Sequence, residues 1–335
     1  MEDFEQWPLG LNPYANDPAG WGPSLLTNAE PILAALETSG AESAIEIGAY
    51  AGDFTHLLLL WGGPRGMKVT AVDPSPQPEL EQLADEHAEL ELIREPSLTA
   101  LERIPLADAI VLDGDHNYYT VTEELRRIAE RSHSERQHLP LILLHDVCWP
   151  HGRRDDYYDP DQIPPEYRQP VVEGGGLYPG VTGVYTGALP YKWPAAEEGG
   201  PRNGVLTAVE DFIEAHEERL RLAVVPTFYG LGLLWEERAP YSDRLARQLE
   251  PWHESPHLAR LERNRVLHLA SAHVQQHRAH VAEDQLHRAH ALLDRMLHSR
   301  AFAVAELFLK LRQRGRPAFS REQIRELLNR SARSN

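Results

Sequence analysis

Two short clusters of acids and histidines carry the reactive groups of this chain. Asp113-Gly114-Asp115-His116 closes one apolar run, at 109–112, and His145-Asp146 closes another, at 141–144. If these runs are neighbouring parallel strands, both clusters lie beyond the carboxyl ends of a sheet, where open α/β sheets bind ligands. Asp113, His116, His145 and Asp146 can then converge on one spot without special folding. Carboxylate oxygens with imidazole nitrogens suit a divalent ion, and a histidine among them can take a proton near neutral pH. The plainer alternative is that Asp115 and His116 only cap a helix or turn.

A second constellation is Glu46-Ile47-Gly48-Ala49-Tyr50-Ala51-Gly52, where a first strand turns into a helix. Two glycines four apart let a backbone approach a ligand closely. Asp73 follows at the tip of the second strand, where a carboxylate can accept both hydroxyls of a ribose. The G-x-G-x-x-G fingerprint of a dinucleotide pyrophosphate is absent, so a ligand with a ribose and no phosphate fits better.

The elements that must position these groups alternate. A helix is expected over 24–39. Strands at 44–47, 69–72, 90–93, 109–112 and 141–144 are separated by helices at 53–61, 78–87, 97–104 and 120–131, where Val121, Leu125 and Ile128 face a core. Such a rhythm implies a parallel sheet with helices on both faces. Residues 147–202 lose all period, yet their aromatic content argues against plain disorder. The segment from His145 to Tyr158 is placed to form a lid, with Arg153, Arg154, Tyr157 and Tyr158 as acceptor-binding candidates. A helix at 205–220 and strands at 222–225 and 231–235 read as a closing hairpin. The domains expected are an arm at 1–23, an α/β domain at 24–238 and a helical, His- and Arg-rich extension at 239–335. Ser320 and Gln323 could cap a last short helix after a break at 315–317.

E-x-G-x-x-x-G with an acid ending strand two resembles the S-adenosylmethionine (SAM) site of class I SAM-dependent methyltransferases, over about residues 24–236. The resemblance implies a Rossmann-like seven-stranded sheet with an antiparallel last strand. It implies SAM held by Glu46, Gly48, Ala49, Tyr50, Gly52, Asp73 and Asp113. Glu46 would sit near the methionine amino group, and Glu95, Pro96 and Ser97 would flank the adenine. D-x-x-H after strand four, with a polar pair after strand five, is similar to metal-dependent sugar O-methyltransferases of macrolide biosynthesis. That group includes macrocin-type and cephalosporin-hydroxylase-like proteins. Carried over, Asp113 and Asp146 hold Mg²⁺ and His116 is the general base. The departure is His145, where an acid is the commoner ligand. An imidazole there favours Mn²⁺, Fe²⁺ or Zn²⁺ over Mg²⁺, or gives His145 a catalytic role. The implied activity is methyl transfer from SAM to a hydroxyl of a saccharide or glycosylated natural product. A nicotinamide-dependent sugar oxidoreductase or epimerase is disfavoured by the missing third glycine, and a non-catalytic scaffold by the complete set of site residues.

Composition bounds the partners. The net charge is −18, which argues against a nucleic-acid surface. No apolar run approaches the ~20 residues of a membrane helix, and the acidic N-terminus carries no secretory h-region. A single cysteine, Cys148, fits a reducing, cytoplasmic compartment. His273, His277, His280, His287 and His290 recur on one helical tract and read as a solvated face. The apolar stripe after them suggests packing on the catalytic domain or a homo-oligomer.

Overall fold

The computed structural model describes residues 24–136 and 138–312, with 322, 324 and 325. The arm at 1–23, the break at 315–317 and the Ser320 cap lie outside the described residues. Two short helices, α1 (Ser24–Thr27) and α2 (Ala29–Ser39), replace the single one expected, and α2 stops at Gly40, whose φ of 71° makes a left-handed cap. The alternation then follows as β1 (Ser43–Ile47), α3 (Asp53–Gly62), β2 (Lys68–Val72), α4 (Pro78–Glu86), β3 (Leu90–Ile93), α5 (Ser97–Ala100), β4 (Ala109–Leu112), α6 (Tyr118–Glu135) and β5 (Leu141–His145). Helix α6 starts two residues before the expected 120 because Asn117 caps it, its side chain accepting from the Thr120 N–H.

The insertion carries a small antiparallel pair, β6 (Gly176–Leu177) and β7 (Leu189–Pro190). It is followed by α7 (Val205–Ala215), β8 (Leu220–Val225) and β9 (Leu231–Glu236). Helices α8 (Ser242–Leu249), α9 (Pro256–His298) and α10 (Arg300–Arg312) complete the described chain.

Among the described residues the main sheet has seven strands in the order β3-β2-β1-β4-β5-β9-β8. The first five are parallel and β9 is antiparallel to both β5 and β8. This is a Rossmann-like seven-stranded α/β sheet, with the reversed last strand that the resemblance implied. Strand residues alternate between two cores. Leu141 and Leu143 join Ile32, Leu58 and Leu245 on one face, while Ile142 and Leu144 join Leu125, Ile128 and Val209 on the other. Every residue of β4, β5 and β9 is buried, as both-face coverage of a parallel sheet requires.

Residues 147–202 are a built structure rather than a loose flap. Asp155 accepts from the backbone N–H of Tyr118 and Gly204 and from the Tyr157 hydroxyl, and its own N–H donates to Asn203. The Arg154 guanidinium, 1% exposed, donates to the Ala195 and Thr182 carbonyls. Two compact units divide the chain within α9, one ending at His273 and one beginning at Val274. Residues 239–273 therefore belong to the first unit, and Ala239, Tyr241, Leu245 and Leu249 lie in its core. In the second unit Leu292, Leu307 and Phe308 are exposed.

Candidate active site

The carboxyl ends of β1, β4 and β5 open into a cavity of about 410 Å³. Its floor is the loop after β1, with Glu46, Gly48, Ala49 and Tyr50 on the wall. Gly48 and Gly52 hold φ of 86° and 82°, and the reason differs from the one the sequence suggested. A Cβ on Gly48 would lie 2.1 Å from the Asp113 carbonyl oxygen, and one on Gly52 would lie 2.8 Å from Leu83 Cδ1. Both glycines are thus demanded by packing of protein on protein, and Gly48 lets the β1 and β4 loops touch. Asp73 does not line the cavity. It sits beneath the loop, accepting from the Tyr50 N–H at 2.8 Å and the Ser75 N–H at 2.7 Å. Pro96 and Ser97 also lie off the cavity wall. The Pro96 carbonyl accepts the first helical N–H groups of α5, and the Ser97 hydroxyl bonds Glu124.

Glu46 is 2% exposed, and its carboxylate accepts from the Thr55 hydroxyl at 2.5 Å. Burial raises its pKa from 4.5 to about 8; the Thr55 bond opposes this, and Asp113, Asp53 and Asp73 reinforce it.

The two strand-end clusters meet. His145 Nδ1 lies 3.0 Å from Asp113 Oδ1 and 3.1 Å from Asp146 Oδ2. His116 Nε2 lies 3.3 Å from Asp113 Oδ1 and 3.2 Å from Asp146 Oδ2. The four ligand atoms fall within 4.8 Å of one another. Burial disfavours charged imidazoles, yet Asp146 and Asp113 outweigh it and raise His116 to about 9 and His145 well above its ordinary value. The same pairing holds Asp146 and Asp113 below the usual carboxylate range against the effect of burial.

These donors fit a divalent cation. Metal–ligand bonds of ~2.1 Å at right angles put adjacent donors ~3 Å apart, close to the spacings observed. The second ring nitrogen of His145, Nε2, donates to the Phe228 carbonyl at 3.0 Å. The two carboxylates favour a protonated ring with Nδ1 donating to them; the neutral ring would instead present a lone pair at Nδ1 beside two carboxylate oxygens, a donor set that suits a cation. A backbone carbonyl on the far nitrogen is the usual support of a metal-binding imidazole. Among the described residues this is where three or more such ligands gather. The histidines of α9 do not converge.

The remaining wall comes from His151, Asp156, Tyr158, Tyr191 and Tyr229. His151 stacks on His116, ring centroids 5.3 Å apart, and meets the Tyr191 edge at 4.9 Å. Burial pushes His151 down to about 4 and Asp156 up to about 7. His151 Nδ1 and Asp156 Oδ1 are buried with no hydrogen-bond partner among the described residues. Of the four acceptor-binding candidates, only Tyr158 lines this wall. Arg153 is paired with Glu210 of α7 at 2.5 Å, Arg154 is buried in the insertion, and Tyr157 is bound to Asp155. His151 and Asp156 lie inside the motif from His145 to Tyr158, beside the two arginines and two tyrosines that the sequence singles out.

No protein-family model and no curated protein matches this chain. Solved methyltransferases resemble it in part. A Podospora anserina methyltransferase bound to S-adenosylhomocysteine has 15% identity and a TM-score of 0.36, covering 69% of this chain and 83% of that one. A Burkholderia thailandensis 1,6-didemethyltoxoflavin-N1-methyltransferase has 15% identity and a TM-score of 0.34, covering 58% and 70%. Human N-acetylserotonin methyltransferase in complex with SAM has 16% identity and a TM-score of 0.32, covering 62% and 51%.

Proposed function

We propose that this chain is a SAM-dependent O-methyltransferase that alkylates a hydroxyl of a saccharide or glycosylated small molecule with the help of a divalent cation. The observation that carries this reading is the opening of the β1 loop and the Asp–His cluster into one cavity. The loop is the donor side. Glu46 would face the methionine amino group, the backbone of Gly48–Tyr50 would line the donor, and Asp73 would meet the ribose from beneath the loop. Pro96 and Ser97 stand as adenine neighbours at the start of α5.

When bound, SAM supplies an electrophilic methyl on a sulfonium, and a cation at Asp113, His145 and Asp146 supplies a charge favouring the ionised form of a nearby hydroxyl. His116 takes the hydroxyl proton. With the charge of Asp113 and Asp146 offset, its raised pKa returns toward that of ordinary imidazole, where it can act as a base. Bound SAM would supply the methyl group for that oxygen, S-adenosylhomocysteine would be the other product, and the hydroxyl proton would stay on His116.

The acceptor wall supports a neutral, polyhydroxylated substrate. Tyr158, Tyr191 and Tyr229 offer aromatic faces with polar tips. His151 Nδ1 and Asp156 Oδ1 offer buried partners for a second hydroxyl. No Lys or Arg is among the lining residues, while Glu46, Asp53, Asp113, Asp146 and Asp156 are, which opposes anionic acceptors and nucleic acid. Among the described residues no helix is long and apolar enough to cross a membrane. A cytoplasmic enzyme that self-associates through the exposed Leu292, Leu307 and Phe308 of its second unit completes the reading.

Titration calorimetry with SAM, S-adenosylhomocysteine and NAD, with and without Mn²⁺ or Mg²⁺, tests it. Micromolar binding of the first two and none of NAD is expected; binding of NAD alone overturns the donor assignment. His116→Ala should bind SAM normally and lose turnover, and retained turnover would move the base to another group.

A further inference from the structure

The groups that aim His145 lie on an element far along the chain. Its Nε2 donates to the carbonyl of Phe228, in the loop joining β8 to β9. Phe228 and Tyr229 are both left-handed, with φ of 46° and 69°. Two consecutive non-glycine residues in that region cost ~1–2 kcal/mol each, so the turn persists only if its surroundings hold it.

Helix α9 does so. Glu262 accepts from the Tyr229 N–H at 2.9 Å. The Arg265 guanidinium lies over the Phe228 ring at 4.8 Å and over the Tyr229 ring at 4.6 Å. The same guanidinium is anchored to Glu262 by two bonds of 2.7 Å. The Tyr229 carbonyl accepts from the Cys148 N–H at 2.7 Å, three residues past His145, which closes the circuit on β5. Gly230 completes the turn, and a Cβ there would strike the Cys148 backbone at 2.6 Å.

We infer that Glu262 and Arg265 are positioning residues for His145: they fix the Phe228 carbonyl on Nε2 and so direct Nδ1 at Asp113 and Asp146. They touch neither donor nor acceptor chemistry and act through the turn. The inference rests on the proposed cation site for its consequence but not for its geometry. Outer partners of a metal-binding imidazole are worth 10–100-fold in metal affinity, and that range is expected here.

The test uses full-length protein and two readouts. The first is Mn²⁺ affinity by electron paramagnetic resonance. Arg265→Ala and Glu262→Ala should each weaken it 10–100-fold at a temperature where far-UV circular dichroism shows both folded. Glu262→Gln, which keeps an oxygen for the Tyr229 N–H, should stay within a few-fold of wild type. A merely structural role would lower Tm and leave affinity alone. The second is the ¹⁵N-histidine spectrum of metal-free protein, with the His145 signal assigned by its loss in His145→Asn. A slowly exchanging His145 Nε2 proton should be seen in wild type and Glu262→Gln, and lost in both alanine variants. The same slow proton in the alanine variants overturns the inference. A wild type that binds no Mn²⁺ but keeps that proton instead overturns the cation site, while the spectrum still decides the positioning role.

Discussion

Glu46 makes the stability of the fold sensitive to pH, and the effect has a definite sign. Its folded pKa is about 8, against 4.5 for an unperturbed glutamate. Between those values the folded state binds more protons at this site than the unfolded state does. Stability therefore falls as pH rises from 4.5, and the loss is complete once pH passes 8. At ~1.4 kcal/mol per pH unit, the gap sets an upper limit of ~5 kcal/mol. Glu46→Gln keeps the shape and an oxygen for Thr55 but removes the titration. From pH 6 to 9 the wild type should lose ~2–3 kcal/mol more than the variant. Glu124, also raised to about 8 by burial, drifts the same way in both proteins and cancels in the difference. Ligand-free urea unfolding at half-unit pH steps measures it. Parallel stability curves for the two proteins would mean that Glu46 is ionised in the fold, and the burial argument would fail.

Three further outcomes follow from the same geometry. Gly48→Ala should destabilise the ligand-free protein by ~2–4 kcal/mol in chemical denaturation, since the added carbon is driven into the Asp113 carbonyl; an unchanged midpoint would restore the ligand-approach explanation. Asp73→Asn should weaken SAM binding by ~1.5–3 kcal/mol through loss of charged hydrogen bonds, and calorimetric affinity equal to wild type would remove Asp73 from the ribose. Asp156→Asn should raise KM for a polyhydroxylated acceptor ~10-fold or more while SAM affinity stays put; an unmoved KM would mean that Asp156 Oδ1 meets no acceptor hydroxyl.

The parallel strands were legible because their apolar runs are short, regular and bounded by turn residues. The acid–histidine cluster was legible for a topological reason: residues ending adjacent parallel strands must be neighbours. The insertion was not, because Arg154, Asp155 and Asn203 hold it with buried polar bonds that leave no periodic trace. His151 and Asp156 were hidden by the same fact, since their place on the wall depends on where that polar scaffold turns the chain. The glycines carry a second demand that the sequence hides. A positive φ can be anticipated from the residue type, but the atoms a Cβ would strike belong to Asp113 beyond β4 for Gly48 and to Leu83 of α4 for Gly52, which only the folded chain brings near.

Strain gathers around the cavity. Of the described non-glycine residues with positive φ, Tyr50, Asp146 and Tyr229 line it, Phe228 supports it, and Arg202 and Glu254 lie elsewhere. Each is held from outside the turn it strains. Asp73 accepts the Tyr50 N–H, and Gln77 donates to its carbonyl. The carboxylate of Asp146 is fixed by two imidazoles, and Phe228 with Tyr229 by α9. Relaxed loops would be cheaper by ~1 kcal/mol or more per residue, so a fold selected for stability alone has no use for three strained turns at one end of its sheet. What they accomplish together is to bring the β1 loop, a carboxylate and an aromatic wall to the same 410 Å³. A site held this way is preorganised, and its reactive groups need little reordering when ligands arrive.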